Sequence, residues 1–403
     1  MILEKLILSN FRNYLQREFE FGSGVSVLVG PNTVGKTNVL EAIYLLAVGG
    51  SFRDGKIEEM VNWGTELGRV QGIIEQTLNP KSQPMLKLRP AGEILNKSQS
   101  QNSNVSKDQV ELEVVVTRGV VQSKRVVKRK YLVNGVSRSR AKFVGSLLCV
   151  SFRPEDMRIV EGSPARRRVF WDELLSQVDP EYARALGSYT RGLRRRNKVL
   201  EMIREGRTGR AALTFWDQLV LKNGELVQDG RRELVEFFNL GESYSEFGLG
   251  LDYYISVMSE KRLSQYSQQE VAAGYTLVGP HRDDFVINSK FEPPARLGLG
   301  QANHKQIQNS NTQFQKGRNL AIYGSRGEQR MGVLWLKLMA MEYVEKKMGQ
   351  RPVLLLDDIL SELDSGHRKM ILAVAGKQQT IVTSADENDL EDLGNGWERI
   401  DLK

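Results

Sequence analysis

Cysteine is all but missing from this 403-residue chain: Cys149 stands alone, so no internal disulfide and no cysteine-built zinc site can form. Histidine is nearly as scarce, and His281, His304 and His367 lie too far apart in sequence to show ligand spacing. Long apolar runs are lacking too. The richest, Val39 to Val48, is broken by Glu41 and falls short of the ~18 residues a membrane span requires. The opening segment carries Glu4 among its apolar residues and lacks the order of a secretion signal, so a cytoplasmic protein without a membrane partner is expected. Acidic residues are outnumbered, and the formal charge of +8 favours phosphate-bearing or anionic partners without separating them from simple solubility.

What is present has the bulk composition of a globular protein of two or three domains. The first third is rich in strand patterns: residues 2–8, 25–29, 69–77, 110–117 and 125–133, with Asn134-Gly135 as a hairpin turn. Residues 96–109 contain almost nothing apolar and read as a disordered surface insertion. From Ser163 to about Leu240 the period becomes helical, without the sustained heptads of a long coiled coil, so at most a short arm is expected. After a β-like stretch at Leu251 to Val257, residues 290–318 read as a second, flexible insertion. The chain closes as helix, strand, helix, strand (328–347, 353–357, 367–376, 380–384), which predicts a parallel sheet with covering helices.

Gly30-Pro31-Asn32-Thr33-Val34-Gly35-Lys36-Thr37 matches the P-loop pattern GxxxxGK[ST] between a strand and a predicted helix. Its glycines let backbone N–H groups turn inward around phosphates, Lys36 reaches the terminal phosphates, and Thr37 offers its hydroxyl to Mg²⁺. A bare match arises by chance in about one or two chains of this length per hundred; the strand before it and the helix after it disfavour an ordinary glycine turn. The apolar run from Pro352 ends in Asp357 and Asp358. Alone, two acids at a strand end are usually a solvated terminus. Beside a P-loop they point to ATP: Asp357 would bind the metal through water, and Asp358 would orient or deprotonate the attacking water. Ser325, with Glu328 three residues on, reads as a helix-capping box. With Gly327 it also matches a signature that, about thirty residues before Asp357, would grip the γ-phosphate of ATP held by another subunit.

In order along the chain, SNFRNY (9–14), GPNTVGKTNVLEAI (30–43), SFR (51–53), FRPEDMRIVEGSPARRR (152–168), GPHRDDF (279–285), SRGEQR (325–330) and LLLDDILSELD (354–364) resemble the motifs of the RecF family, compact relatives of SMC and ABC-type ATPases. Transporters and SMC proteins share the ATP motifs but not GPHRDD or the GSPxxRR stretch. The resemblance implies an α/β, ABC-type ATPase head with a mixed sheet and P-loop, made of residues 1–155 and 251–403, with 156–250 as an inserted helical arm. It implies that Arg12 and Asn13 approach the nucleotide, that Ser325 and Gly327 act in trans, and that Ser361 to Asp364 form a D-loop at a dimer interface. It further implies an ATP-driven homodimer that clamps DNA and helps load recombinase at gaps, in replication, recombinational repair and the SOS response, with RecO and RecR proteins as partners. Asp358 stands where most ABC enzymes carry Glu; the shorter side chain sits farther from the water and implies a slow, DNA-stimulated ATPase with no chemistry on the DNA itself. No histidine follows the strand TIVTSA where many ABC ATPases carry a switch histidine, which leaves Thr383 or Ser384 as replacements.

For DNA the candidates are Arg166, Arg167 and Arg168, and Arg191, Arg194, Arg195 and Arg196 with Lys198 on the helical arm, since guanidinium suits phosphate. A solvated helix face paired with Glu201 and Glu205 explains any one of them equally well. Lys124, Arg125, Lys128, Arg129 and Lys130 form a second candidate, or an exposed strand face. No base-reading fold is evident, so single-stranded or gapped duplex DNA would be held without regard to sequence and with strong salt dependence. Two other functions fit the ATP motifs: a DNA clamp in which turnover is negligible, and the energy subunit of an ABC-type transporter, which leaves the basic arm and GPHRDD unexplained.

Overall fold

A computed structural model describes residues 1–53, 55–75, 109–241, 243–289, 317–360, 363–384 and 396–402. The expected insertions at 96–109 and 290–318 fall outside these residues, apart from their last positions. Along the chain run β1 (Ile2–Phe11), β2 (Tyr14–Glu20), β3 (Val25–Val29), α1 (Lys36–Val48), β4 (Leu67–Glu75), β5 (Gln109–Thr117), β6 (Val120–Val121), β7 (Lys124–Arg125), β8 (Arg129–Val133), β9 (Val136–Arg138), α2 (Arg140–Phe143) and β10 (Cys149–Phe152). Then come α3 (Met157–Glu161), α4 (Pro164–Val178), α5 (Pro180–Arg204), α6 (Thr214–Leu240), β11 (Leu249–Tyr254), α7 (Glu260–Ala273), β12 (Asp284–Ser289), β13 (Arg318–Asn319) and α8 (Leu320–Tyr323). Last are α9 (Arg326–Met348), β14 (Val353–Asp357), α10 (Ser365–Ala375), β15 (Thr380–Ser384) and β16 (Trp397–Asp401).

These elements form two compact units: Met1–Pro154 with Ser176–Pro180 and Met341–Lys403, and Glu155–Leu175 with Glu181–Ala340. In the first, a parallel sheet runs β10-β14-β15-β3-β16 and an antiparallel sheet runs β2-β1-β4-β5-β8-β9. Their apolar faces meet around α1, whose residues are almost all buried. A helix apolar on every side needs cover on every side, and the two sheets supply it. The run Val39 to Val48 is therefore core; among the described residues no helix is long and apolar enough to cross a membrane.

Two irregularities have local causes. The imperfect alternation of β1 follows from a register shift between Leu3 and Lys5, a bulge that keeps Leu3, Leu6 and Leu8 all buried. The strand expected at 125–133 is split, because Gln122 and Ser123 take left-handed angles and fold β7 back onto β6 before β8 begins. Asn134 and Gly135, also left-handed, make the expected hairpin between β8 and β9.

The second unit joins α5 and α6 to the three-stranded sheet β11-β12-β13. The expected return to the head at residue 251 is corrected here: residues 251–340 group with the helices. The reason is pairing: β11 packs on α6, the Asn239 amide brackets the backbone of Leu251, and β12 completes the ladder. Trp171 packs on Phe238 and Phe285, and Phe238 on Trp335. At the centre lies GPHRDD, whose Asp283 is fully buried and accepts hydrogen bonds from Arg231, Gln228, Tyr253 and the Ser256 amide. Burial and the Asp283 charge together push the Tyr253 phenol far up, so it remains a donor.

His281 of the same motif donates from Nε2 to the Thr276 carbonyl and accepts at Nδ1 from the Tyr189 hydroxyl. Burial, opposed by the Thr276 bond, lowers its pKa from 6.5 to about 4. The unfolded chain therefore takes up this proton first, and the contribution of the neutral ring, full above pH ~6.5, is lost as pH falls toward 4, about 3 kcal/mol in all. The difference in urea-unfolding free energy between wild type and His281→Gln should shrink by roughly that amount from pH 7 to pH 4; a difference that stays constant with pH contradicts the assignment.

Candidate functional site

Three neighbouring parallel strands, β3, β15 and β14, end at one edge of their sheet, and the carboxyl ends of such strands are where α/β folds place their sites. The P-loop leaves β3 there. Its turn requires glycine at Gly35, where φ is +112° and an added Cβ would lie 2.7 Å from Asn13 Nδ2. Gly30 is packed as closely: a Cβ there would stand 2.6 Å from the Leu402 carbonyl. The Lys36 ammonium, largely buried, donates to the Gly30 carbonyl at 2.6 Å and the Pro31 carbonyl at 3.3 Å.

From the next helical position Thr37 donates to Asp357 Oδ1 at 2.9 Å. Thr383, at the end of β15, donates to the same oxygen at 2.9 Å and accepts from the Asp358 amide at 2.9 Å. One hydroxyl thus sets both acids, and Asp358 holds a left-handed φ of 52° that Asp tolerates better than most residues. Asp357 is buried and Asp358 exposed. With Asn32, Thr33, Asn38 and Arg53 these residues line a cavity of 180 Å³. Among the described residues no cluster of three His, Cys, Asp or Glu side chains could hold a metal ion. A hydroxyl and one carboxylate at the foot of a phosphate-shaped loop is instead a donor set that fits Mg²⁺, which takes a few protein oxygens and completes its shell with phosphate and water.

Arg12 and Asn13 do not line that cavity. They line an adjoining one of 560 Å³ with Asn38, which is common to both, and with the exposed Trp63 and Arg118. Asn13 donates to the Val34 carbonyl of the loop and accepts from Asn38. Arg12 forks onto Glu41, with its Nε at 2.9 Å and Nη2 at 2.6 Å from the two carboxylate oxygens. Sequence reasoning missed Glu41, which there marks only an interruption in an apolar run, and gave Arg53 no role; an acid one residue from the centre of a core helix was the available signal.

In the second unit, Ser325 and Glu328 form a reciprocal capping box: Ser325 N donates to Glu328 Oε2 at 2.7 Å, and Glu328 N to Ser325 Oγ at 3.3 Å. The Ser325 hydroxyl is the acceptor in that box, so its own proton is not used by it, and with Gly327 it stands at the exposed start of α9. Of the residues expected to form a D-loop, Ser361 and Glu362 lie outside the described residues; Asp364 caps α10.

The arginine candidates divide. Arg167 forks onto Asp284, Arg168 donates to the Asp283 carbonyl, and Arg196, 2% exposed, binds Asp217, Glu270 and Thr276. These three are corrected to structural roles. For Arg196 the cause is helical phase: Tyr182, Ala185, Tyr189, Gly192, Arg196 and Leu200 form the buried face of α5. Arg191, Arg194 and Arg195 are on the exposed face, while Arg166 is half-buried. On the hairpin Lys124, Arg125 and Lys130 are exposed, Lys128 pairs with Glu58, and Arg129 donates to the Gly49 carbonyl.

The family model described as RecF/RecN/SMC N terminal domain matches residues 2–398. A protein of Chloroflexus aurantiacus named DNA replication and repair protein RecF is 31% identical over 425 residues, spanning 96% of this chain and 94% of its own. The chain belongs to the RecF family. A RecF of Geobacillus kaustophilus is 30% identical over 407 residues, 95% of this chain and 92% of that one. The solved structure described as the recombination mediator protein RecF-ATPrS in RecFOR pathway is similar at 27% identity and TM-score 0.75, covering 99% of this chain and 96% of that chain. A likeness to RecF over nearly the whole length leaves the transporter reading without support.

The split among the arginines is open to direct measurement. Arg196→Ala leaves Glu270 as a buried charge without its partner and should cost about 3–5 kcal/mol in urea unfolding, whereas Arg195→Ala should stay within about 0.5 kcal/mol of wild type. Equal effects would mean that the phase of α5 is misassigned.

Proposed function

We propose that this chain is an ATP-dependent DNA-binding protein of replication and recombinational gap repair that acts in the cytoplasm, as a homodimer closed by ATP, alongside RecO- and RecR-type partners. The observation that carries this reading is the pairing of Thr37 with Asp357 at 2.9 Å beneath a P-loop, in a chain of the RecF family. Relatives named for DNA replication and repair, and a similar structure described as a recombination mediator carrying an ATP analogue, support it.

The chain's own groups supply the chemistry. Lys36 leaves the Gly30 carbonyl for the terminal phosphates, while the loop amides hold the remaining phosphate oxygens. Thr37 and Asp357 would hold Mg²⁺, which when bound neutralises charge across the β- and γ-phosphate oxygens. The adjoining cavity, with Asn13, Asn38 and Trp63 along its wall, receives the rest of the nucleotide. Asp358 orients the attacking water; an aspartate in this place makes turnover slow, which suits a timed clamp better than a motor. Ser325 and Gly327 at the α9 N-terminus grip the γ-phosphate held by a second copy, with the hydroxyl proton that the capping box leaves over. Arg191, Arg194 and Arg195 hold the DNA backbone without reading bases.

Fluorescence anisotropy with gapped and single-stranded DNA tests this. ATP should tighten wild-type binding where ADP does not, and Lys36→Met should lose that gain. Nucleotide-independent binding in both proteins refutes the ATP-gated clamp. Replacing Arg191, Arg194 and Arg195 together by Ala should lower the slope of log K against log salt by about 0.9 for each phosphate that is no longer neutralised, and an unchanged slope places the DNA elsewhere.

A further inference from the structure

Glu41, on the helix that follows the P-loop, lines neither cavity, yet its side chain is 0% exposed and two arginines share it. The two are held differently. Arg12 is fixed: it forks onto both carboxylate oxygens, its Nη1 donates to the Glu59 carbonyl, and its amide donates to Met60 O at 2.8 Å. Arg53 reaches Glu41 by one atom pair, Nη1 to Oε2 at 3.4 Å, and its side chain is 37% exposed. Its backbone is anchored nonetheless. Ser51 Oγ donates to Glu41 and accepts from the Arg53 amide, and Phe52 is gripped between Tyr44 and the Arg153 guanidinium, 4.3 Å from the ring centroid.

One negative charge between two guanidiniums leaves an excess positive charge on the side of the phosphate cavity that Arg53 lines together with Lys36. Guanidinium–oxyanion bonds are strong only when short and forked, so the long single pairing is the one an incoming phosphate can displace. Arg12 stays behind and keeps the buried carboxylate compensated, which removes the cost of leaving a charge unpaired inside the protein. We propose that Glu41 is a positioning residue that parks Arg53 beside the loop and gives it up to the terminal phosphate of the bound nucleotide, so that the site tells a triphosphate from a diphosphate by an exchange of ionic partners. This rests on the nucleotide-site reading above.

The test is a double-mutant cycle on the whole protein, with dissociation constants for AMP-PNP and for ADP, both with Mg²⁺, measured by calorimetry for wild type, Glu41→Gln, Arg53→Gln and the double variant. Arg53→Gln should weaken AMP-PNP about tenfold or more and ADP less than about twofold. Glu41→Gln, which keeps an acceptor for Arg12 but no longer competes for Arg53, should tighten AMP-PNP by about threefold relative to ADP, and that gain should vanish in the double variant. If Glu41→Gln weakens both nucleotides alike, and equally with or without Arg53, Glu41 is a strut and the exchange is refuted. Should Glu41→Gln fail to fold by near-ultraviolet circular dichroism, Arg53→Gln alone decides, since equal losses for the two nucleotides overturn the proposal. A wild type that binds neither nucleotide instead overturns the site reading, and this inference with it.

Discussion

The hydrogen bond from Thr37 to Asp357 joins positions 320 residues apart and makes one site out of the two ends of the chain. It exists because β15 lies between β3 and β14 in parallel register, so that all three strands release their C-terminal residues at the same edge. Thr383 tightens the arrangement by donating to Asp357 and accepting from the Asp358 amide, with the first acid buried and the second exposed. The rest of the first unit answers to this constraint. α1 is sealed between two sheets, and the turn carrying Arg12 and Asn13 is pressed so closely on Gly35 that no side chain fits there.

The second unit depends on a different arrangement of charge. Asp283, Arg231 and Asp172 form one buried ionic cluster, and Arg196, Glu270 and Asp217 another. Each of these charges has partners, which is the condition for tolerating it inside a protein. GPHRDD serves mainly this interior, since Asp283 organises it, His281 is a neutral bridge and Asp284 holds Arg167. Of its side chains Arg282 alone is exposed; such a motif can mark a packing solution as readily as a binding site.

Much of the fold was legible because its signals are local. β14 and β15 begin and end where apolar runs do, Asn134-Gly135 turns as its dipeptide predicts, and the P-loop lies between the strand and helix its chemistry requires. That Lys36, Thr37, Asp357 and Asp358 line one cavity was legible for the same reason, since they belong to patterns whose spacing and flanking elements can be read locally. Glu41 showed only as an acid inside an apolar run and Arg53 not at all, since nothing in a linear pattern says which arginines fold in from other loops to meet that acid. The division of the chain at residue 251 was misplaced because a short strand does not announce its partner; β11 pairs with β12 in the helical unit.

By itself, then, the sequence determined the family and the α/β class, and it singled out the P-loop and the paired acids, because these depend on residue type at fixed short spacing. Which arginines face solvent and which are locked inside, and which acid binds which base, was decided only by tertiary structure. Arg195 and Arg196 are adjacent in sequence and chemically identical, yet one turn-phase of α5 leaves the first exposed and buries the second against Glu270. Helical rotation moves successive side chains by about 100°, and only the surface that the helix packs against determines which of them must be paired.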